Sequence, residues 1–247
     1  MKKLKDFVLI RINGLLGERL LIWASSIKLL VKRINRKFRN KETANDQLYV
    51  DLGLPSGLKW AKCNVGAKKE TDYGIMFAWG QTDNAVTTKF VDSENYPYSW
   101  TTYEHCNDTY NTLTKYNNKS SYGTVDNKTV LDPEDDAATQ IMGSDWRMPT
   151  QTEWQELLDN TTNEWTQVNG VNGRKFTASN GNSIFIPAAG SCGDGSVLNV
   201  GRYGGVWSSS LRTSSHYGAW GLFFSSGYCS MGYDGRCYGR SVRGVMN

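Results

Sequence analysis

Five cysteines (Cys63, Cys106, Cys192, Cys229, Cys237), two histidines (His105, His216) and the run Pro133-Glu134-Asp135-Asp136 are the residues of this chain that could do covalent or metal chemistry. Structural zinc sites need Cys and His ligands a few residues apart, and no such spacing occurs here. The odd cysteine count and the wide intervals also argue against a disulfide framework, although a Cys63–Cys106 bridge stays open. Cys229 and Cys237 are the nearest pair along the chain, and no supporting motif surrounds them. The acidic run follows a proline, as in the first turn of a helix, where negative charge meets the positive end of the dipole. That placement suits a helix start better than an ion site. No catalytic residue, metal or cofactor is expected.

Recognition chemistry is more visible. From Phe176 to Asn247 the chain has no Lys, Glu or Gln, three types that normally crowd a soluble surface. Polar positions there are filled by Ser, Asn, Gly, Tyr and Arg. A palette of Tyr, Ser, Gly and Asn with a few Arg is that of an antibody paratope, where Tyr gives large contact area at low entropic cost. Tyr203, Tyr217, Phe223, Tyr228, Tyr233 and Tyr238 are candidates for such contact. Arg202 and Arg212 suit acidic groups or stacking on flat faces. Apolar residues recur between them: Val206, Trp207, Leu211, Ala219, Trp220, Leu222, Phe224, Met231, Val242 and Val245. Alternation of Trp220, Leu222 and Phe224 predicts a strand.

The elements that must carry these residues begin at Leu48. Residues 49–67 predict a strand, a Pro-Ser-Gly turn and a second strand, and residues 73–81 a third. Residues 82–128 are polar, rich in Asn and Thr with scattered Tyr and Trp, and read as long ordered loops. Helices are expected over 131–143 and 149–160. The second has Thr150 as N-cap and Glu153 three residues on, a capping box. Residues 175–190 read as a hairpin with an Asn-Gly turn.

Residues 1–47 are different. The first 41 residues hold twelve Lys and Arg against two acids, a charge of +10, while the remainder carries −6. The apolar run is interrupted by Arg11, Glu18, Arg19 and Lys28, short of the ~20 residues that span a bilayer. A signal-peptide layout is also missing. Leu16, Leu20, Trp23, Ile27, Leu30 and Ile34 step by four and three, which predicts a basic amphipathic helix. Residues 4–38 could pack on the chain's own domain, join copies of the chain, dock on a phage tail structure or lie on an anionic membrane. No specific nucleic-acid partner is expected. Asn40 to Gln47 reads as a linker.

YVDLGLPSGLKWAKCNVGA, YGIMFAWGQ, LDPEDDAA, SDWRMPTQTEW, NGNSIFIPAAG, VWSSSL and GRSVRGV, in that order across 48–247, resemble the variable proteins of diversity-generating retroelements of gut bacteria and their phages. The resemblance implies an α+β domain of C-type-lectin-like fold, related to formylglycine-generating enzymes, here preceded by the N-terminal amphipathic helix. It also implies a source for the odd composition. In that family a reverse transcriptase randomises template adenines, typically in Asn codons, and such codons cannot become Lys, Glu, Gln, Trp or Met. Trp207, Trp220 and Met231 would then be fixed anchors. The diversified ligand-binding positions, within about 202–240, would be Arg202, Tyr203, Gly205, Arg212, Ser215, His216, Tyr217, Gly218, Gly221, Phe223, Ser225, Tyr228, Ser230, Gly232, Tyr233, Asp234, Gly235, Cys237 and Tyr238, with Arg240 and Cys229 at the margin.

The implied function is recognition of a protein or glycan on a target cell by a shared C-terminal surface, without catalysis, in a phage particle or an intracellular or membrane-associated setting. Alternatives are a surface adhesin that is not diversified, or an enzyme using Cys229 and Cys237 to hold copper as formylglycine-generating enzymes do. The Glu-Pro-Asn, Gln-Pro-Asp and Trp-Asn-Asp motifs of calcium-dependent lectins are missing.

Overall fold

The computed structural model describes residues 48–82 and 98–247. The basic amphipathic helix and its linker lie outside the described residues, as does 83–97 of the polar stretch.

Most of the described chain pairs as strands. Three antiparallel strands, β1 (Tyr49–Asp51), β2 (Lys59–Asn64) and β13 (Arg243–Met246), join the start of the domain to its end, with Val245 opposite Trp60. A five-stranded sheet has the order β11 (Cys229–Gly235), β10 (Gly218–Ser225), β9 (Tyr203–Leu211), β12 (Arg240–Ser241), β3 (Met76–Phe77). Strands β4 (Thr161–Val168), β5 (Val171–Ala178) and β6 (Ser183–Pro187) form a third sheet, and β7 (Ser191–Gly193) pairs with β8 (Ser196–Leu198). Against these thirteen strands stand two α-helices, α1 (Ala137–Met142) and α2 (Gln151–Asn160), among the described residues.

The α+β expectation is therefore corrected: the domain is mainly β. The helix expected over 131–143 is a 3-10 turn at Pro133–Asp135 followed by only six α-helical residues. Asp136 ends the first and caps the second, accepting from Thr139 N at 2.9 Å and Met148 N at 2.7 Å. The hairpin β4–β5, with its Asn169–Gly170 turn, has no period-2 signature, because polar Thr, Asn, Gln and Lys alternate with one another rather than with apolar residues. The third predicted strand shrinks to Met76–Phe77.

Helix α2 follows its sequence signal closely. Thr150 Oγ1 accepts from Glu153 N, and Glu153 Oε2 accepts from Thr150 N at 2.8 Å. Arg147 grips the same carboxylate through both terminal nitrogens at 2.6 and 2.7 Å. The helix then drops Trp154 and Leu157 into a core with Trp60, Phe176, Ile184, Ile186, Val206, Leu222, Phe224 and Val245. A second core holds Trp79, Tyr116, Met148, Trp207, Leu211, Ala219 and Val242, and a third holds Tyr98, Tyr103, Cys106, Leu113, Cys192 and Cys237. Indole N–H groups stitch the cores to the sheet. Trp79 donates to Ser208 O, Trp207 to Phe77 O and Trp154 to Trp207 O. Buried indoles usually find such partners; Trp60 Nε1, buried in the first core, has none.

Candidate functional site

Strands β9, β10 and β11 place the C-terminal candidates. Gly205 faces Phe223, which faces Ser230; Tyr203 faces Ser225; Gly221 faces Gly232; Ala219 faces Asp234. Directly opposed residues share a face, and neighbours along a strand alternate. One face therefore carries Tyr203, Gly205, Gly221, Phe223, Ser225, Ser230, Gly232 and Asp234, all sequence candidates. The other carries Val206, Leu222 and Phe224 into the first core, with Cys229 and Met231 packed against it. On the first face, Trp207 and Ala219 are covered by the second core, so the open part lies at the other end, where Ser230 is exposed and Tyr203, Ser225, Gly232 and Asp234 are half-buried, while Gly205, Gly221 and Phe223 are buried.

That open end is built on a floor without side chains. A Cβ on Gly232 would sit 2.8 Å from Phe223 Cδ2, one on Gly221 3.2 Å from Cζ, and one on Gly205 3.1 Å from Cε1. The Phe223 ring thus lies against three glycines and stacks with Tyr203 at 6.2 Å and 24°. It is only 7% exposed. Arg240, from the neighbouring strand, also crosses close to Gly205 and reaches Asp234 as an ion pair. Burial raises the Tyr203 phenol well above its usual range, so it is a neutral donor at physiological pH. Arg202 is exposed just before β9, and Tyr228 is exposed in the β10–β11 turn.

The remaining candidates lie elsewhere. Tyr233 is on the core side of β11 by alternation, yet 43% exposed at the strand's end. Arg212 covers it, its guanidinium 3.2 Å from the Tyr233 ring centre and 5.7 Å from Trp220. Trp220 is thus a half-exposed platform rather than the core anchor expected. Gly218 and Gly235 pair with each other at the same end of the hairpin and are buried. Ser215, His216 and Tyr217 occupy the β9–β10 loop. Tyr238 packs on Gly193 and Gly235, and Cys237 is 1% exposed in the third core. Cys237 is a correction, since a side chain sealed there cannot meet a ligand; burial pushes its thiol up to about 12.

All five cysteines are free, so the Cys63–Cys106 bridge is not formed. Cys229 and Cys237 belong to different cores, with strand β11 between them. At about 3.3 Å per residue that strand separates them by roughly 20 Å, so they do not converge on one ion. The carboxylates of Asp132, Glu134 and Asp135 do cluster, but around Lys115, whose Nζ is 2.9 Å from Asp132 and 3.4 Å from Glu134. Burial opposes the lysine's charge, and its hydrogen bonds to Asp135 and Asp132 override this and raise its pKa.

Sequence reasoning left out an aromatic group from the loop after Tyr98. Tyr110 is 47% exposed, with Trp100 at 6.2 Å, Tyr122 at 6.4 Å and the candidate Tyr217 at 6.2 Å. Tyr122 lies 4.2 Å from His216. Its only sequence signal is the scatter of Tyr and Trp through polar residues. Arg236 was likewise unmarked, and Arg240 stood only at the margin of the diversified set. Comparison with protein-family models, curated proteins and solved structures finds no match.

Proposed function

We propose that the chain is a ligand-recognition protein whose outer β9–β11 face is varied by retroelement mutagenesis and engages a protein or glycan on a target cell. The observation that carries this reading is the alternation within the three strands. Eight candidate positions lie on one face, and Val206, Leu222, Phe224 and Met231, which lie between them, pack on the core. A pleated strand separates the two duties, so outer residues can change without disturbing inner packing. Phe223 and Tyr203 supply a shielded aromatic centre, the usual place of binding hot spots, and Arg202 and Tyr228 lie at the strand ends.

Sequencing the gene across a population tests the reading. Substitutions are expected at Tyr203, Gly205, Phe223, Ser225, Ser230, Gly232 and Asp234, with Val206, Trp207, Leu222, Phe224 and Met231 constant and Gly221 restrained by the Val206 carbonyl, 2.8 Å from where its Cβ would stand. A template copy differing at adenines should lie nearby. Substitutions spread evenly along β9–β11 would sink the proposal.

A further inference from the structure

We infer that Arg212, Tyr233 and Trp220 form a second contact point, on the side of the β10–β11 hairpin away from the Tyr203–Phe223 face, which takes one carboxylate of a protein ligand. This deepens the recognition reading and rests on it, but uses residues outside the outer face.

Placement is the first observation. Trp220 on β10 pairs directly with Tyr233 on β11, so the two rings share a face. Leu222 and Phe224 lie farther along the same face and are buried, whereas Tyr233 is exposed and Trp220 only part-buried. Arg212, just after β9, lays its guanidinium over both rings, 3.2 Å from the centre of Tyr233 and 5.7 Å from that of Trp220. The chain around it is tied down. Arg212 N donates to Gly218 O at 3.1 Å, and Ser215 N donates to Arg212 O at 3.0 Å. Tyr233 in turn lies against Gly218, where a Cβ would stand 3.1 Å from the ring. The cation is therefore held in place before any ligand arrives, which lowers the ordering cost of binding.

The second observation is that this guanidinium has no partner. Among the described residues its side chain makes no hydrogen bond and no ion pair. Its Nε is sealed and lacks an acceptor, while its two terminal nitrogens are not sealed and face solvent. Other arginines of the domain are engaged. Arg147 holds Glu153 at 2.6 and 2.7 Å, Arg240 holds Asp234, and Arg243 donates to Asn64, Ala61 and Phe185. Asp234, next to Tyr233 in the chain, is thus taken by another cation. A carboxylate offers two coplanar oxygens to a guanidinium edge, and this edge is open.

The surroundings select the kind of carboxylate. Residues 211–235 contain no second Lys or Arg, and neither does α2, which packs on β10 and β11. One positive charge matches a carboxylate better than a phosphate near charge −2. Arg212 already covers the Tyr233 ring, so a pyranose cannot stack on it. What stays available is an arginine edge framed by Trp and Tyr, the three residue types that dominate protein–protein hot spots.

The test titrates the nitrogen-labelled full chain with the blocked tripeptide Ac-Ala-Glu-Ala-NH2, its Gln and phosphoserine counterparts, and glucuronic acid. The Trp220 indole and Arg212 Nε–H signals are followed by NMR, which keeps the basic N-terminal segment out of the measurement. The Glu peptide is expected to shift both signals and to bind about tenfold more tightly than the Gln peptide. Arg212→Gln should weaken it about tenfold, Arg212→Lys should restore little, and Tyr203→Ala should change nothing. Equal binding of the Glu and Gln peptides, no shift with the Glu peptide, or full affinity in Arg212→Gln would overturn the inference. So would tighter binding of the phosphoserine peptide or of glucuronic acid. If Arg212→Gln loses its dispersed spectrum, the comparison of Glu with Gln on the unaltered chain decides. Population sequencing reads variation on the outer face and this titration reads binding behind it, so the failure of one is distinguishable from failure of the other.

Discussion

The Phe223 ring and the glycines beneath it should behave as one energetic unit. In Gly232→Ala the new methyl would stand 2.8 Å from Phe223 Cδ2, against 3.4 Å or more for an ordinary contact, so the ring must move by roughly 0.6 Å. Gly205, Gly221 and Tyr203 limit where it can go. Overpacking of this kind costs about 1–3 kcal/mol. Replacing glycine within a strand returns about 0.5–1 kcal/mol through the unfolded chain, and Gly232 has no positive φ to forbid the change. The expected net loss is about 1–2 kcal/mol. In Phe223→Ala the clash is gone, so Gly232→Ala should become neutral or slightly stabilising, a coupling of about 2 kcal/mol. Gly221→Ala is the control. Its Cβ meets Val206 O at 2.8 Å, backbone that cannot step aside, so it should destabilise in both backgrounds. Urea denaturation followed by tryptophan fluorescence gives the stabilities of wild type and all five variants. Additivity of Gly232→Ala and Phe223→Ala within about 0.5 kcal/mol would refute the cradle.

Other perturbations read other parts of the frame. Thr150→Ala should cost about 1 kcal/mol through loss of the α2 cap, measured by the same denaturation. Burial opposes ionisation of Glu153, but Arg147 and Thr150 N–H outweigh it and hold the carboxyl below its ordinary range. Its contribution is therefore complete above the unfolded pKa and fades as pH falls through the lower folded one; Glu153→Gln should flatten that acid limb of the stability curve. Arg243→Met would leave Ala61 O, Phe185 O and Asn64 Oδ1 without their buried donor and should cost about 3 kcal/mol or more, with Arg243→Lys a poor rescue because one ammonium cannot copy the fork. At pH 8, Ellman's reagent should modify half-exposed Cys63 well before Cys192 or Cys237, whose thiols burial pushes up to about 11 and about 12; simultaneous labelling would contradict the buried third core.

What could be read in the chain was short-range. The Thr150–Glu153 box and the Asn-Gly hairpin are written in adjacent residues, and both form. Alternation in 220–224 is visible because Trp220, Leu222 and Phe224 are large and apolar. The strand content was underestimated because β4 and β5 carry polar residues on both sides, most of them part-buried, leaving no apolar period to detect. The burial of Arg236 was invisible for another reason. Its surroundings come from Trp79, Tyr103 and Tyr116, more than a hundred positions away, and nothing local distinguishes it from Arg202, which is exposed. Cys237 was misplaced on the same ground: its position after β11 gives no hint that Cys106 and Cys192 enclose it.

The glycine floor also limits what the proposed variation can do. Positions on one sheet face are free of the core behind them, but they are not free of each other. A ring at Phe223 requires small neighbours at Gly205, Gly221 and Gly232, and the long arm of Arg240 lies close over Gly205. A bulky residue at Gly232 would force a small one at 223, whereas at Gly221 the carbonyl of Val206 resists any side chain whatever stands at 223. The accessible surfaces are therefore fewer than independent choice at eight positions would allow, and they fall into ring-on-glycine and side-chain-on-small-residue solutions. In sibling sequences, aromatic residues at 223 should occur with Gly at 232 and larger residues at 232 with Ser, Ala or Gly at 223. Free assortment of these two positions would mean that the backbone shifts to absorb the clash, and the rigid frame argued for β9–β11 would have to be abandoned.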